Sequence, residues 1–283
     1  MRNNTISIAS GDIATLELGN AETAHTTVVF LHGWLDNAAS FHSILPKLSQ
    51  LDESLHLCAI DLPGHGLSSH KGIGSFYPFH DYIDDLHQVL STLSPNRLVL
   101  VGHSLGALIA SCYSAAFPEQ VAGLVQIEGF GPLAESPEKS IDRLRNGVLS
   151  RQRLRRKPTR DLTSIEEMAS RRATINHLDA HLIQPVVERG MMSLNGIWQW
   201  RHDSHLQSDS LYRMSLEHAE EVIKSIECPQ LVILGDKGYD RLKPSLSHST
   251  KLCDVVTISG GHHCHLQSPS AVTDLIFGVL NKI

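Results

Sequence analysis

Short, mainly apolar runs alternate along this chain with longer segments whose apolar residues recur every three or four positions. Thr27–Leu31, residues 55–60, residues 98–101 and Val121–Ile127 are runs of the first kind, each leading into a turn. Apolar runs this short, bounded by turn residues, predict strands buried on both faces. Between them, residues 37–51 carry Phe41, Ile44, Leu45 and Leu48 on one helical face, and residues 79–93 carry Tyr82, Ile83, Leu86, Val89 and Leu90 at helical spacing. Residues 5–18 alternate weakly around Gly11-Asp12 and predict an opening hairpin. Strand and helix in strict alternation predict an α/β chain built on a mostly parallel, doubly wound sheet. In such sheets chemistry gathers at the carboxyl ends of the strands. His32, Asp61, Ser104 and Glu128 all fall at that edge.

The rhythm then stops. From Leu133 to about Ser215 the chain is polar and helical in pattern, and strands resume only at residues 230–234 and 255–258. The prediction is a core formed by residues 1–132 and 216–283, with residues 133–215 inserted as a helical cap. A basic run in the cap, Arg151, Arg153, Arg155, Arg156 and Lys157, reads as a solvated helix face more readily than as an anion site. Met191, Met192, Trp198 and Trp200 are placed to line a pocket under the cap or to bury it against the core.

Composition narrows the function classes. The 283 residues are 41% hydrophobic with a formal charge of -6, so no global positive field would attract nucleic acid. Five scattered cysteines, Cys58, Cys112, Cys228, Cys253 and Cys264, form no C-x-x-C pair and fit reduced thiols rather than a disulfide framework. The first residues lack the apolar core of a secretory signal, and no run is long enough to span a bilayer. A cytoplasmic protein with no membrane partner is expected; oligomeric state is not encoded in these patterns.

The chemistry centres on Gly102-His103-Ser104-Leu105-Gly106, set between an apolar strand and an apolar helix. Gly-x-Ser-x-Gly in that context is a nucleophile elbow. The tight turn forces the serine into a strained conformation, and the glycines remove side chains that would collide. A serine hydroxyl needs a base and a group that orients the base. The base candidate lies after the last strand, in Gly260-Gly261-His262-His263-Cys264-His265. With 18 histidines in the chain, its place in the order serine, acid, histidine counts for more than mere occurrence. The same cluster invites a metal reading, but no ligand pair elsewhere has matching spacing, so no metal is expected and His263 and His265 read as packing or surface residues.

With these motifs in hand, the chain resembles the α/β-hydrolase fold superfamily over nearly its whole length. His32-Gly33-Trp34, Asp61-Leu62-Pro63-Gly64-His65-Gly66, the elbow and Gly261-His262 stand in that family's order, and within it the chain resembles the serine hydrolase-like proteins, partly through Gly261-His262 to Pro269 and the aromatic segment from Trp198 to Asp203. The resemblance implies Ser104 as nucleophile, His262 as base and the amides of Trp34 and Leu105 as oxyanion hole. It implies no cofactor. His32, Gly33, His103, Trp198 and Trp200 are the candidate substrate-binding residues, with His103 read chiefly as packing beside the elbow. The acid departs from the common pattern. Most relatives place it three residues beyond a glycine like Gly235, and that position here is Gly238, flanked out of register by Asp236 and Asp240. Glu128 offers the alternative placement, as in several haloalkane dehalogenases, which are similar in this respect. The expected acid is therefore Glu128, with Asp240 and then Asp236 behind it. The implied activity is hydrolysis of a small carboxylic ester or related acyl substrate through an acyl-enzyme. A carbon–carbon bond hydrolase or thioesterase with the same triad, or a non-catalytic ligand-binding protein on this scaffold, are the alternatives.

Overall fold

The computed structural model describes residues 1–156, 162–239, 242 and 253–283. Its centre is an eight-stranded sheet. In chain order the strands are β1 (Arg2–Ile8), β2 (Gly11–Leu18), β3 (Thr27–Leu31), β4 (His56–Ile60), β5 (Leu98–His103), β6 (Val121–Ile127), β9 (Gln230–Gly235) and β10 (Asp254–Ile258). They lie in the order β1-β2-β4-β3-β5-β6-β9-β10. From β4 to β10 all neighbours are parallel, while β1 and β2 form an antiparallel hairpin and β2 pairs antiparallel with β4.

Every residue of β3, β4, β5 and β9 is buried, because helices cover both faces. Successive side chains alternate between the faces. Phe30, Val99, Val101, Val125 and Ile233 meet Phe41, Ile44, Leu45 and Leu48 around helix α1 (Ile44–Leu51), together with the C-terminal helix Pro269–Leu280. Val29, Leu31, Leu98, Leu100 and Leu124 meet helices α2 (Asp81–Leu93) and α3 (Leu105–Ala116). The helix expected over residues 37–51 is broken in two, a 3-10 turn Ala38–Phe41 followed by α1. Pro46 explains the break, since it lacks the N–H that would bond back to residue 42 and is tolerated only in a first turn.

The chain leaves the sheet after β6 and returns through α7 (Leu216–Lys224) to β9. Between lie α4 (Ser140–Leu154), α5 (Ile165–Asn176), α6 (Ala180–Gly190) and a hairpin, β7 (Met191–Leu194) with β8 (Ile197–Trp200). A bridge between Ala134 and Met214 draws the two ends of this insertion together. The hairpin corrects the all-helical reading of this segment. Its turn is Asn195-Gly196, both at positive φ, the chemistry of a two-residue hairpin. Met168, Ala169, Val187 and Met191 form a small core inside the insertion, and Ile183 and Val186 pack on Ala39 and Leu266 below. Arg151 lies over the Phe76 ring at 4.2 Å, while Arg153, Arg155 and Arg156 are exposed, as expected of a solvated helix face; Lys157 lies outside the described residues. No helix among the described residues is long and apolar enough to cross a membrane, and no disulfide joins cysteines among the described residues.

Candidate active site

Strand β5 runs directly into Ser104, and α3 begins at the next residue. Ser104 sits at φ 49° and ψ −113°, a strained conformation for a residue with a side chain. Two backbone bonds hold it there: Ser104 N–H donates to the Ile127 carbonyl at 2.9 Å, and Gly106 N–H donates to the His32 carbonyl at 3.1 Å. A Cβ at Gly102 would strike the backbone of Gly106 and Ala107, and one at Gly106 would strike the Leu31 carbonyl. Only glycine fits either place. The N-terminus of α3 is thereby aimed at the serine, where its dipole favours developing negative charge.

Glu128 is the first residue after β6 and sits at φ 50°. Its Oε2 lies 3.2 Å from His262 Nδ1 and also accepts the Tyr239 N–H at 3.0 Å, while Oε1 accepts the Gly235 N–H at 2.8 Å. Burial pushes this carboxyl's pKa up. The bonds from His262, Gly235 and Tyr239 outweigh it and hold the group below the ordinary carboxylate value. An ionised Glu128 accepts from Nδ1, which leaves His262 Nε2 free to take a proton. The Tyr239 ring stacks on His262 with centroids 4.1 Å apart, fixing the plane of the imidazole. Ser104 and His262 both line a cavity of about 490 Å³. No hydrogen bond joins these two side chains among the described contacts; such bonds tighten when substrate binds.

Gly33, His103 and Trp200 line the same cavity. His32 does not, contrary to expectation. It is fully buried and both ring nitrogens are committed: Nε2 accepts the Leu62 N–H at 2.9 Å, so Nδ1 carries the proton and donates to the Gly33 carbonyl at 2.7 Å. It joins the β3 loop to the β4 loop. Trp198 is likewise displaced, packed against the small core of the insertion rather than on the cavity wall. Asp236 is exposed and accepts the Gly260 N–H at 2.9 Å, which occupies it in bracing the loops after β9 and β10. Asp240 lies outside the described residues. Trp34 and Leu105 flank Ser104, and their backbone N–H groups donate to no protein group among the described residues. Trp34, Ser104 and Tyr239 also line a second cavity of about 360 Å³, whose wall combines Leu105, Leu108, Leu133 and Leu206 with Arg143, Asp209 and Arg213.

Behind His262 lies a buried polar group. His103 Nε2 is 2.9 Å from the His262 carbonyl, which only accepts, so this nitrogen carries the proton. Burial foremost, then the neighbouring His265, His262 and His263, hold the His103 pKa well below the ordinary value, so it is neutral. His263 Nε2 lies 3.3 Å from Asp36 Oδ2, and His265 Nε2 lies 2.8 Å from Ser40 Oγ. Asp36, His103 and His263 bring three possible metal-ligating atoms within 4.8 Å of one another. The cationic partner present there is Arg172, whose guanidinium reaches Asp36 Oδ1 at 2.5 Å. Tyr239, Asp36 and Arg172 are the site residues that sequence reasoning missed. Asp36 sits two residues beyond Trp34, a proximity that could have drawn attention, whereas Arg172 carries no local signal.

Comparison with known proteins bears on the fold. The alpha/beta hydrolase fold family matches residues 26–175. A serine hydrolase-like protein of Danio rerio is 26% identical over 262 residues, covering 88% of this chain and 79% of its own length. A serine hydrolase-like protein of Dictyostelium discoideum is 28% identical over 285 residues, covering 94% and 78%. Among solved structures, a hypothetical protein of Pseudomonas aeruginosa superposes with a TM-score of 0.90 at 27% identity over 100% of both chains.

Proposed function

The chain belongs to the alpha/beta hydrolase fold family, and we propose that within it the protein is a serine hydrolase of carboxylic esters or related acyl substrates, with Ser104, His262 and Glu128 as its triad. The observation that carries this reading is the Glu128 carboxylate 3.2 Å from Nδ1 of His262, a side chain that lines the same cavity as Ser104. Ser104 Oγ attacks the acyl carbonyl while His262 Nε2 takes its proton, and Glu128 stabilises the imidazolium. The unspent N–H groups of Trp34 and Leu105 receive the oxyanion; one such donor is typically worth about 10²- to 10³-fold in rate. His262 then protonates the leaving group and afterwards activates the water that releases the acyl chain.

The two cavities give the substrate a direction. His262 lines the 490 Å³ cavity and not the other. The leaving group, which must receive the proton from His262, therefore occupies that larger space beside Arg171, His202 and Gln207. The acyl group enters the 360 Å³ cavity, whose wall mixes leucines and Phe79 with Arg143, Asp209 and Arg213.

The test is hydrolysis of p-nitrophenyl acetate, butyrate and octanoate by wild type and Ser104→Ala. Wild type should turn over at least the butyrate and octanoate esters, and the serine variant should lose on the order of 10⁴-fold or more in kcat. Ester turnover that survives the serine variant would sink the proposal. Turnover of a vinylogous β-diketone by wild type with none of the esters would move the reading to carbon–carbon bond hydrolysis.

A further inference from the structure

Among the described residues no group of the insertion between β6 and α7 bonds to Glu128 or His262, yet three of its groups grip the loop that follows β3. Arg172, on α5, donates to the Leu35 carbonyl at 3.0 Å and to Asp36 Oδ1 at 2.5 Å. The Val186 carbonyl on α6 accepts from Asn37 Nδ2 at 2.7 Å, and the Leu206 carbonyl accepts from Trp34 Nε1 at 3.0 Å. Residues 34 to 37 are thus held from above at every position. Within the loop itself the Asp36 N–H donates to the Gly33 carbonyl at 3.0 Å.

The loop needs such holding. Leu35 lies at φ 61°, in the left-handed region where a side chain is disfavoured, and a strained residue persists only where its surroundings over-determine it. Arg172 acts on both sides of the peptide that follows Leu35. Asp36 is 2% exposed and Arg172 16%. A buried ion pair is a poor source of stability, since apolar residues of similar volume often serve as well or better. Its presence beside a strained residue, one step from the Trp34 amide, therefore calls for a positional reason.

We infer that Arg172 is a positioning residue of the oxyanion site, holding Leu35 and Asp36 from the cap so that the Trp34 N–H faces the substrate carbonyl oxygen on Ser104. The inference rests on the serine-hydrolase reading above. It makes the oxyanion hole complete only when α5 is seated on the β3 loop. Cap and catalytic loop then form one mechanical unit.

The test compares wild type, Arg172→Ala and Arg172→Lys. Lysine restores the charge near Asp36 but lacks the planar fork that reaches two acceptors at once. Four readouts separate positioning from mere structure: kcat and KM on a p-nitrophenyl ester, affinity for an alkyl trifluoromethyl ketone that forms a tetrahedral adduct, affinity for the carboxylate product, and amide hydrogen exchange over residues 33–38. With Arg172→Ala, kcat should fall about 10²-fold, KM should change little, and ketone affinity should fall in step with kcat while product affinity holds. Exchange over residues 33–38 should rise, and added guanidinium at a non-denaturing concentration should restore part of kcat. The lysine variant should recover stability better than rate. A lowered melting temperature with unchanged kcat in both variants would overturn the inference, as would a rise in KM alone. If wild type neither turns over an ester nor binds the ketone, the serine-hydrolase reading falls. Hydrogen exchange still decides the tether in that case, because unchanged exchange over residues 33–38 in Arg172→Ala overturns it.

Discussion

Strands β6 and β9 lie side by side and parallel, with Ile127 paired to Ile233, yet their carboxyl ends do opposite things. The end of β6 turns at once through positive φ and sends the Glu128 carboxylate sideways toward His262. Among the described residues the end of β9 sends no carboxylate there. It contributes the N–H of Gly235 and, four residues on, the N–H of Tyr239, both donated to that same carboxylate. Between them stands Gly238, and a Cβ there would sit on the Glu128 carboxylate itself. One strand end supplies the charge and the other supplies the room and the hydrogen bonds. Which strand end places a carboxylate beside His262 is here a question of which neighbour fills a shared space, for Gly238, beyond β9, leaves the room that Glu128, beyond β6, occupies.

The largest effect should come from removing the charge. Glu128→Gln keeps the shape but presents an amide NH₂ where one of the three donors now finds an oxygen. His262 loses the partner that stabilises its imidazolium, and kcat should drop by about 10²- to 10⁴-fold with KM little changed. A buried donor left facing the amide should also cost about 1–3 kcal/mol of stability. Steady-state kinetics and thermal unfolding on the same samples check both. A variant with near wild-type kcat would mean that a carboxylate on the β9 side carries the role.

Gly238→Ala tests the other strand end. The new methyl group must push the carboxylate off His262 or shift the loop, so kcat should fall by about 10- to 10³-fold although residue 238 touches neither serine nor histidine. The sharper form is a double-mutant cycle. In an Glu128→Ala background the space is empty, so Gly238→Ala should cost little more, and the two effects should be strongly sub-additive. Additive losses would break the shared-space account.

These two residues also show what the sequence could carry. The parallel strands and the strand–turn–helix at Ser104 were legible because each depends on local pattern: apolar runs, glycines at fixed offsets, a turn after a strand. Glu128 was legible as a candidate only through its place at a strand end and the glycine at 238. That those two positions touch is a fact of neighbouring strands distant in sequence, 107 residues apart for Glu128 and Gly235. His32 and Trp198 were misplaced for the converse reason. A residue at the active edge of the sheet can spend its polar atoms joining loops, as His32 does between the Gly33 carbonyl and the Leu62 N–H. A tryptophan in the cap can be needed for the cap's own small core. The hairpin at residues 191–200 was available from Asn195-Gly196, a local turn signal hidden in a segment whose composition read as helical. Arg172 and Tyr239 had no local signal, because each works through a contact between elements that only the fold brings together.

The smallest effect belongs to Asp236, which follows β9 directly, as Glu128 follows β6. Its carboxylate turns away from His262 to accept the Gly260 N–H at 2.9 Å, and it is exposed to solvent. Asp236→Asn keeps an oxygen for that bond and removes only a screened charge, so stability should change by less than about 1 kcal/mol. The loop that carries His262 stays braced through the Lys237 N–H on the Gly260 carbonyl at 2.9 Å, and kcat should remain within about threefold of wild type. Measured beside Glu128→Gln under the same conditions, this variant asks which strand end carries the acid. A loss in Asp236→Asn as large as that in Glu128→Gln would mean that the loop rearranges on substrate binding and that the division of labour between β6 and β9 is not the one the hydrogen bonds describe.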